Sequence, residues 1–490
     1  MHSCKREKMP TLSKATRRAR LTLADVDFNR RDHEDRPLRP IPPGRDLFAD
    51  RWRPSREYLF GPWIDIDQAV EPNDFTRTRD DMFWQADERV IPVVDLFDRA
   101  GSATVRPMFE QALTRGIDTV ADAPPELVDF FGHVTARPSW LDIKAADRGR
   151  LLLSTASFSA QRLVIGWALF ETAMTADISA ATGATGRFKR DSVRRYVETL
   201  RMFALAMKPD IYDPRTEVFQ TIVRVRLMHA LASRGLRRAW GDDHYLQFGE
   251  PIAATSLLGF GNGPLLTRLV DHRLGRRLSA RDLDDIAMFA GWFGHLIGAP
   301  ERLRARDGGE MIRSLNYIFS RGGDPSGWRE ELMHTVRQPL DAVSETYLPW
   351  FPGPARSLLS TAICKGFAAS AIAPLVPVFG LDEVHEFVAG APEFDVPYRI
   401  YSELFRQTAV LNARALGVRD RLPGVHLARR VLYRNGPPGV DQLVDAISSF
   451  ARRYHDIAMA YTHHDDSTSG GGFGPPRAAT TGCPVPHPVD

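Results

Sequence analysis

The chain has 490 residues, 43% of them hydrophobic and 26% charged, which is enough apolar material for a sizeable core under an ordinary load of surface charge. Its 64 Lys and Arg against 61 Asp and Glu leave a net charge of +3, too small and too dispersed to mark a nucleic-acid-binding protein. Cys4, Cys364 and Cys483 make neither a disulfide framework nor a cysteine-based metal or iron–sulfur centre, and so sparse a set fits a reducing compartment.

Residues 1–57 mix Arg, Asp and Pro, with Pro37, Pro40, Pro42 and Pro43 close together, and read as a basic, partly disordered leader arm. Arg17-Arg18 is followed by LTLADVDFNRRD, which is no apolar export signal, so a cytoplasmic location is expected. From 58 to 462 the chain reads as one large helical domain. Apolar positions recur at three and four residues over 125–132, 145–180, 191–207 and 213–233. The same spacing returns over 280–297, 308–318, 328–346, 381–388, 398–415 and 440–461. Period-two alternation is nearly absent, so the expected fold is all-α, with about a dozen helices. The longest apolar run, 366–380, is broken by Pro374 and Pro377 and reads as too short to cross a bilayer. Residues 463–490 form a Gly/Pro-rich tail, where His463, His464, Asp465 and Asp466 have no frame to hold a metal.

The segment 213–235, DPRTEVFQTIVRVRLMHALASRG, carries its own punctuation. Asp213 suits an N-cap, Pro214 a first helical position, and Gly235 a C-terminal stop. Between them Val218, Ile222, Val225, His229 and Ala232 form one stripe, so His229 projects from an apolar face. Such an imidazole is either a core histidine bonded to a carbonyl or a ligand projecting into an apolar slot, as a haem requires. Arg224 and Arg226 stand near enough to meet haem propionates, or are solvated arginines. In the preceding helix Val193, Val197, Leu200 and Ala204 form the apolar stripe, with Arg195, Glu198 and Thr199 beside it. Arg195 and Glu198 alone would be an ordinary i, i+3 ion pair.

The run RVRLMHA, 224–230, resembles the haem-ligand helix of the MpaB/rubber-oxygenase family. That family's latex-clearing branch carries Arg-x-x-Lys-Thr on the distal side of the haem, its Thr thirty residues before the ligand His. Here Arg195-Tyr196-Val197-Glu198-Thr199 stands at the same separation from His229. Trp240 with Gly249-Glu250-Pro251-Ile252, and GWFGHLIGAPERL at 291–303, resemble further family segments. The resemblance covers roughly 151–303. It implies a globin-like helical core and haem b with His229 as the axial iron ligand. It also implies Arg195, Glu198 and Thr199 on the distal side, and O2-dependent cleavage of an apolar, isoprenoid-type alkene.

Glu198 stands where the latex-clearing branch places a Lys, and a further distal acid of that branch has only Glu171 and Asp177 as candidates. Both departures argue against rubber itself as the substrate. The alternative reading is a helical haem- or lipid-binding protein without oxygen chemistry. Gly259–Gly263 follows no strand and makes no phosphate cradle, His295 and His455 lack partners at metal spacing, and neither HExxH, GxSxG nor a P-loop occurs.

Overall fold

A computed structural model describes residues 37–45, 52–174, 192–262, 265–321, 329–347 and 352–425, with isolated positions beyond. The leader to residue 36, Cys4, Asp177, His455, Cys483, most of 440–461 and the tail 463–490 lie outside the described residues, as does the side chain of Glu171. Every regular element among the described residues is helical.

The chain begins with α1 (Arg53–Leu59), α2 (Asp74–Asp81), α3 (Ile91–Ala100), α4 (Ser102–Arg115) and α5 (Pro125–Thr135). The first four precede the first stretch of helical period, which begins at 125. Pro54 and Pro92 occupy the first helical turns, where no N–H is needed, and Pro107 is carried inside α4. The periodic stretch 145–180 resolves into α6 (Ile143–Ser154) and α7 (Phe158–Met174). The break has a local cause. Asp271 accepts the Ser157 N–H at 3.0 Å, and the Ser157 hydroxyl caps Ala160 N at 3.1 Å, starting a new helix.

Next come α8 (Ser192–Ala206) and α9 (Glu217–Phe248). The expected bounds of the second differ from those observed. Asp213 spends its carboxylate on Arg215 and Thr216 is the N-cap residue, so the helix starts three residues after Pro214. Gly235 lies inside the helix. Continuing to Phe248 buries Leu236, His244, Tyr245 and Phe248, which outweighs the roughly 1 kcal/mol of an internal glycine. The chain uses left-handed backbone later, at Gly241 with φ 75°, where the helix kinks.

The remaining helices are α10 (Ala254–Asn262), α11 (Leu265–Arg273), α12 (Ala280–Ile297), α13 (Gly308–Phe319), α14 (Arg329–Tyr347), α15 (Gly353–Phe367), α16 (Val376–Phe379), α17 (Leu381–Val388) and α18 (Tyr398–Asp420). Gly259, Gly261 and Asn262 of the glycine-rich segment lie in the last turn of α10. Ser279 and Asp282 cap α12 reciprocally, and Asp307 caps α13, so these starts were readable in advance.

One core runs through most of these helices. Trp167 of α7 packs on Phe319 and Phe379, and Trp52 packs on Phe379 at a centroid distance of 5.4 Å. Trp52 belongs to the segment read as an arm. Together with buried Ile41 and Arg56 it shows that the end of that arm is core, because its few large side chains find partners. Cys364 is buried as a small core residue, its thiol pushed up to about 11 by burial. The apolar run near 366–380 is longer than it reads. Continuous helical turns join Gly353–Phe379, 27 residues long and apolar enough to cross a membrane by length and composition; half of its most apolar window is buried in the fold.

Candidate functional site

Helices α8 and α9 bring the candidate residues together in part. On α9, Val218, Ile222 and Val225 are buried, and His229 follows on the same stripe, half-buried. Burial, with the positive charge of Arg195 second, pushes the imidazole down to about 4, so it is neutral at physiological pH. On α8, Glu198 is buried and accepts from two neighbours, Arg194 Nε at 2.9 Å and Arg195 Nη1 at 3.4 Å. The Arg195 guanidinium also lies 3.9 Å from the Met228 sulfur, which places it against α9 one residue before His229. The expected i, i+3 pair is therefore a three-membered cluster facing α9.

Thr199 is not brought to that cluster. It is exposed, and so is Leu200, which was expected in the apolar stripe. The buried side of α8 runs through Val193, Val197, Glu198, Met202 and Leu205. Helical period does not separate Leu200 from it, since Leu200 follows Val193 by seven residues and Val197 by three; tertiary packing leaves this turn uncovered.

Arg224 and Arg226 are not solvated, and both are committed to carboxylates. Arg224 turns to α4, where Nη2 donates to Glu110 at 2.7 Å. Arg226 is buried, and its Nε and Nη2 donate to buried Asp87 at 2.5 and 2.8 Å. Its Nη1 donates to the His295 carbonyl at 3.0 Å. Gly298, at φ 99°, closes this corner, since a Cβ there would lie 2.1 Å from Asp87 Oδ2. No signal in the sequence pairs Asp87 or Glu110 with arginines more than a hundred positions away.

The Asp87–Arg226 pair separates two cavities. One, of about 220 Å³, is lined by His229, Ala230, Ser233, Ile252, Leu257 and Ile297. The other is an open cleft of about 750 Å³, walled by Trp140, His133, His295, Arg304 and the small residues of α12. The rings of His133 and His295 lie 4.9 Å apart, tilted by 50°, and burial pushes them down to about 4 and about 3. Nothing in the residue pattern pointed to this second cleft. Among the described residues no group of three or more His, Cys, Asp or Glu is arranged to hold a metal ion.

His244, also on α9, is a rival imidazole with deeper burial. It lies between Trp240 at 4.4 Å and Phe248 at 5.1 Å, aromatic neighbours one turn to either side. That is the packing of a core histidine, whereas His229 lines a cavity. A haem iron is fitted by the donor at His229 in kind, because a ligating imidazole must be neutral. The room beside it is far smaller than a small-molecule pocket, so the fit rests on donor chemistry rather than on measured room.

Comparison with known proteins adds the family. Residues 159–380, which include α8, α9 and every candidate site residue named on them, match the model described as ER-bound oxygenase mpaB/B′/rubber oxygenase, catalytic domain. Among solved structures the chain is similar to "Structure of Latex Clearing Protein LCP in the closed state", with a TM-score of 0.53 and 18% identity. That similarity covers 75% of this chain and 90% of the other, and at such identity it speaks for the fold. No curated protein sequence matches the chain. By its sequence model, and in agreement with its fold, the segment 159–380 belongs to the mpaB/rubber-oxygenase catalytic-domain family, a family of oxygenases.

Proposed function

We propose that this protein is a haem b-dependent oxygenase that uses O2 to cleave a C=C bond of an apolar, isoprenoid-type alkene. The observation that carries the reading is His229, a neutral, half-buried imidazole that lines a cavity on a helix of an oxygenase-family segment. A haem held through His229 would supply the activation of dioxygen, which no protein side chain can perform.

The chain's own residues supply position and charge. Burial keeps the His229 ring unprotonated, so its lone pair is available. Glu198 holds Arg194 and Arg195 in place, and the Arg195 guanidinium stands against the ligand helix as a fixed positive charge. Such a charge orients a polar diatomic or a developing oxyanion. The Glu198 carboxylate is the group able to hold or pass a proton there. Ile252, Leu257 and Ile297 make apolar wall for an alkene chain. Arg224, held by Glu110, and Arg226, which borders the cavity but is held by Asp87, fix the register of α9, which leaves propionate contacts to other groups.

The test is an absorption spectrum and iron content of protein purified from haem-replete cells, followed by O2 uptake with squalene or a farnesyl chain. A Soret band with alkene-dependent uptake is expected. A colourless protein that takes up no added haem would end the reading, and haem without O2 uptake would leave a haem carrier.

A further inference from the structure

The second flank of the molecule carries a surface that the oxygenase reading does not use. Helix α18 buries Tyr398, Ser402, Phe405, Ala409 and Ala413 against the core. Its outer side is not the polar face such a helix usually shows. Ile400, Leu404, Leu411, Val418 and, in the following turn, Leu422 are 61%, 53%, 67%, 61% and 54% exposed. Their spacing is four, seven, seven and four residues. At about 100° per residue all five fall in one stripe roughly 40° wide, along a helix about 34 Å long. Single exposed leucines are ordinary, but five aligned on one face are not.

The border of the stripe indicates what covers it. Arg399, Arg406, Arg414 and Arg421 lie along one side and are all exposed. Arg406 is spent on Glu403, at 2.6 Å. Arg399, Arg414 and Arg421 have no acidic partner among the described residues. The opposite border holds Tyr401, Thr408, Asn412 and Ala415, with Arg419 beside Asp420. An apolar stripe flanked by unpaired arginines matches a bilayer interface, with hydrocarbon under the leucines and anionic headgroups at the guanidinium row. A second copy of the chain matches less well. Antiparallel pairing through the stripe would set the arginine row against itself, and parallel pairing would set it against an uncharged border.

We propose that the outer face of α18 is a docking surface for anionic lipid membranes, on which the helix lies flat in the headgroup region. The proposal stands apart from the haem assignment and does not depend on it.

Flotation of the full chain with phosphatidylcholine vesicles, with and without phosphatidylserine, tests it. Binding is expected with phosphatidylserine and should weaken as salt is raised. Leu404→Asp/Leu411→Asp should abolish it. Arg399→Gln/Arg414→Gln/Arg421→Gln should weaken it about a hundredfold, at roughly fivefold per arginine near an anionic surface. All five positions are exposed, so both variants should keep the parent's far-UV circular dichroism. No flotation of the parent, or equal flotation of parent and Asp variant, overturns the proposal. So does a dimer by light scattering that the Asp variant converts to monomer without any vesicle binding, which would assign the face to a second copy.

Discussion

Removing the carboxylate of Asp87, at the border of the cavity that His229 lines, should be among the most damaging single changes in this protein. Arg226 is 2% and Asp87 6% exposed, so Asp87→Ala leaves a guanidinium with no water to replace its partner. The arginine cannot easily swing out. Its Nη1 is bonded to the His295 carbonyl at 3.0 Å, and its guanidinium lies 5.2 Å from the Phe130 ring centroid. Breaking one side of a buried pair costs about 3–5 kcal/mol, and the remaining tethers put this site near 4 kcal/mol. Removing both charges should cost far less. Asp87→Leu/Arg226→Met exchanges the pair for apolar contact and gives up chiefly the His295 bond, about 1 kcal/mol. Urea unfolding of Asp87→Leu, Arg226→Met and the double variant reads this as a coupling of about 2 kcal/mol or more. Because Arg226 precedes His229 by three residues on α9, haem retention should fall in Asp87→Ala and recover in the double variant. An Asp87→Ala cost below about 1 kcal/mol, or a double variant at the sum of the singles, would refute the argument.

Other outcomes follow from the same geometry. His229→Ala should lose haem while keeping its helical circular dichroism, and full retention of the Soret band would assign the ligand elsewhere. Glu198→Gln should lower stability by about 1–3 kcal/mol, since two guanidiniums lose their anion. It should also slow alkene-dependent O2 uptake at unchanged haem content; an unchanged rate would remove Glu198 from the chemistry. Gly298→Ala should cost at least about 2 kcal/mol in urea, because a positive φ and a clash with Asp87 act together. His244 is pushed down to about 3 by burial, so its folded pKa lies below its unfolded value of 6.5. Its contribution to stability is complete above pH 6.5 and is lost as pH falls from there toward 3. His244→Phe should therefore show a shallower fall in urea midpoint between pH 6.5 and 4.5, and parallel profiles would contradict this.

How far the fold was legible depended on where its signals lay. Ala280–Ile297 and Leu381–Val388 read correctly because their stripes and end signals are contiguous: Ser279 with Asp282 and Gly298 for one, a glycine on the N-terminal side for the other. Helices α1 and α2 did not, because seven and eight residues with few apolar positions carry no readable stripe. Helical period placed His229 on an apolar stripe, which needs only neighbours three and four residues away. It could not show that Glu198 points inward and Thr199 outward, since that depends on which side α9 approaches. The partners of Arg224 and Arg226 were hidden for a further reason. An arginine's choice of carboxylate is made by tertiary contact, and the exposed apolar stripe of α18 likewise reads as core until the core is seen on the opposite side.

The arginines of α9 have one more consequence, for how this catalytic segment can be moved or inherited. Arg224, Arg226 and Arg234 are answered by Glu110, Asp87 and Asp95, and Arg45 reaches the Phe248 carbonyl at 2.7 Å. All four of these outside groups lie before residue 159, where the family match begins. The segment recognisable as an oxygenase is thus not an autonomous folding module. Excised alone, it would expose a helix whose cations have lost their counter-ions, with His229 among them. A chimaera that imports 159–380 into another scaffold must import 38–115 as well. A relative with a different N-terminal third would need compensating exchanges along this helix to remain foldable.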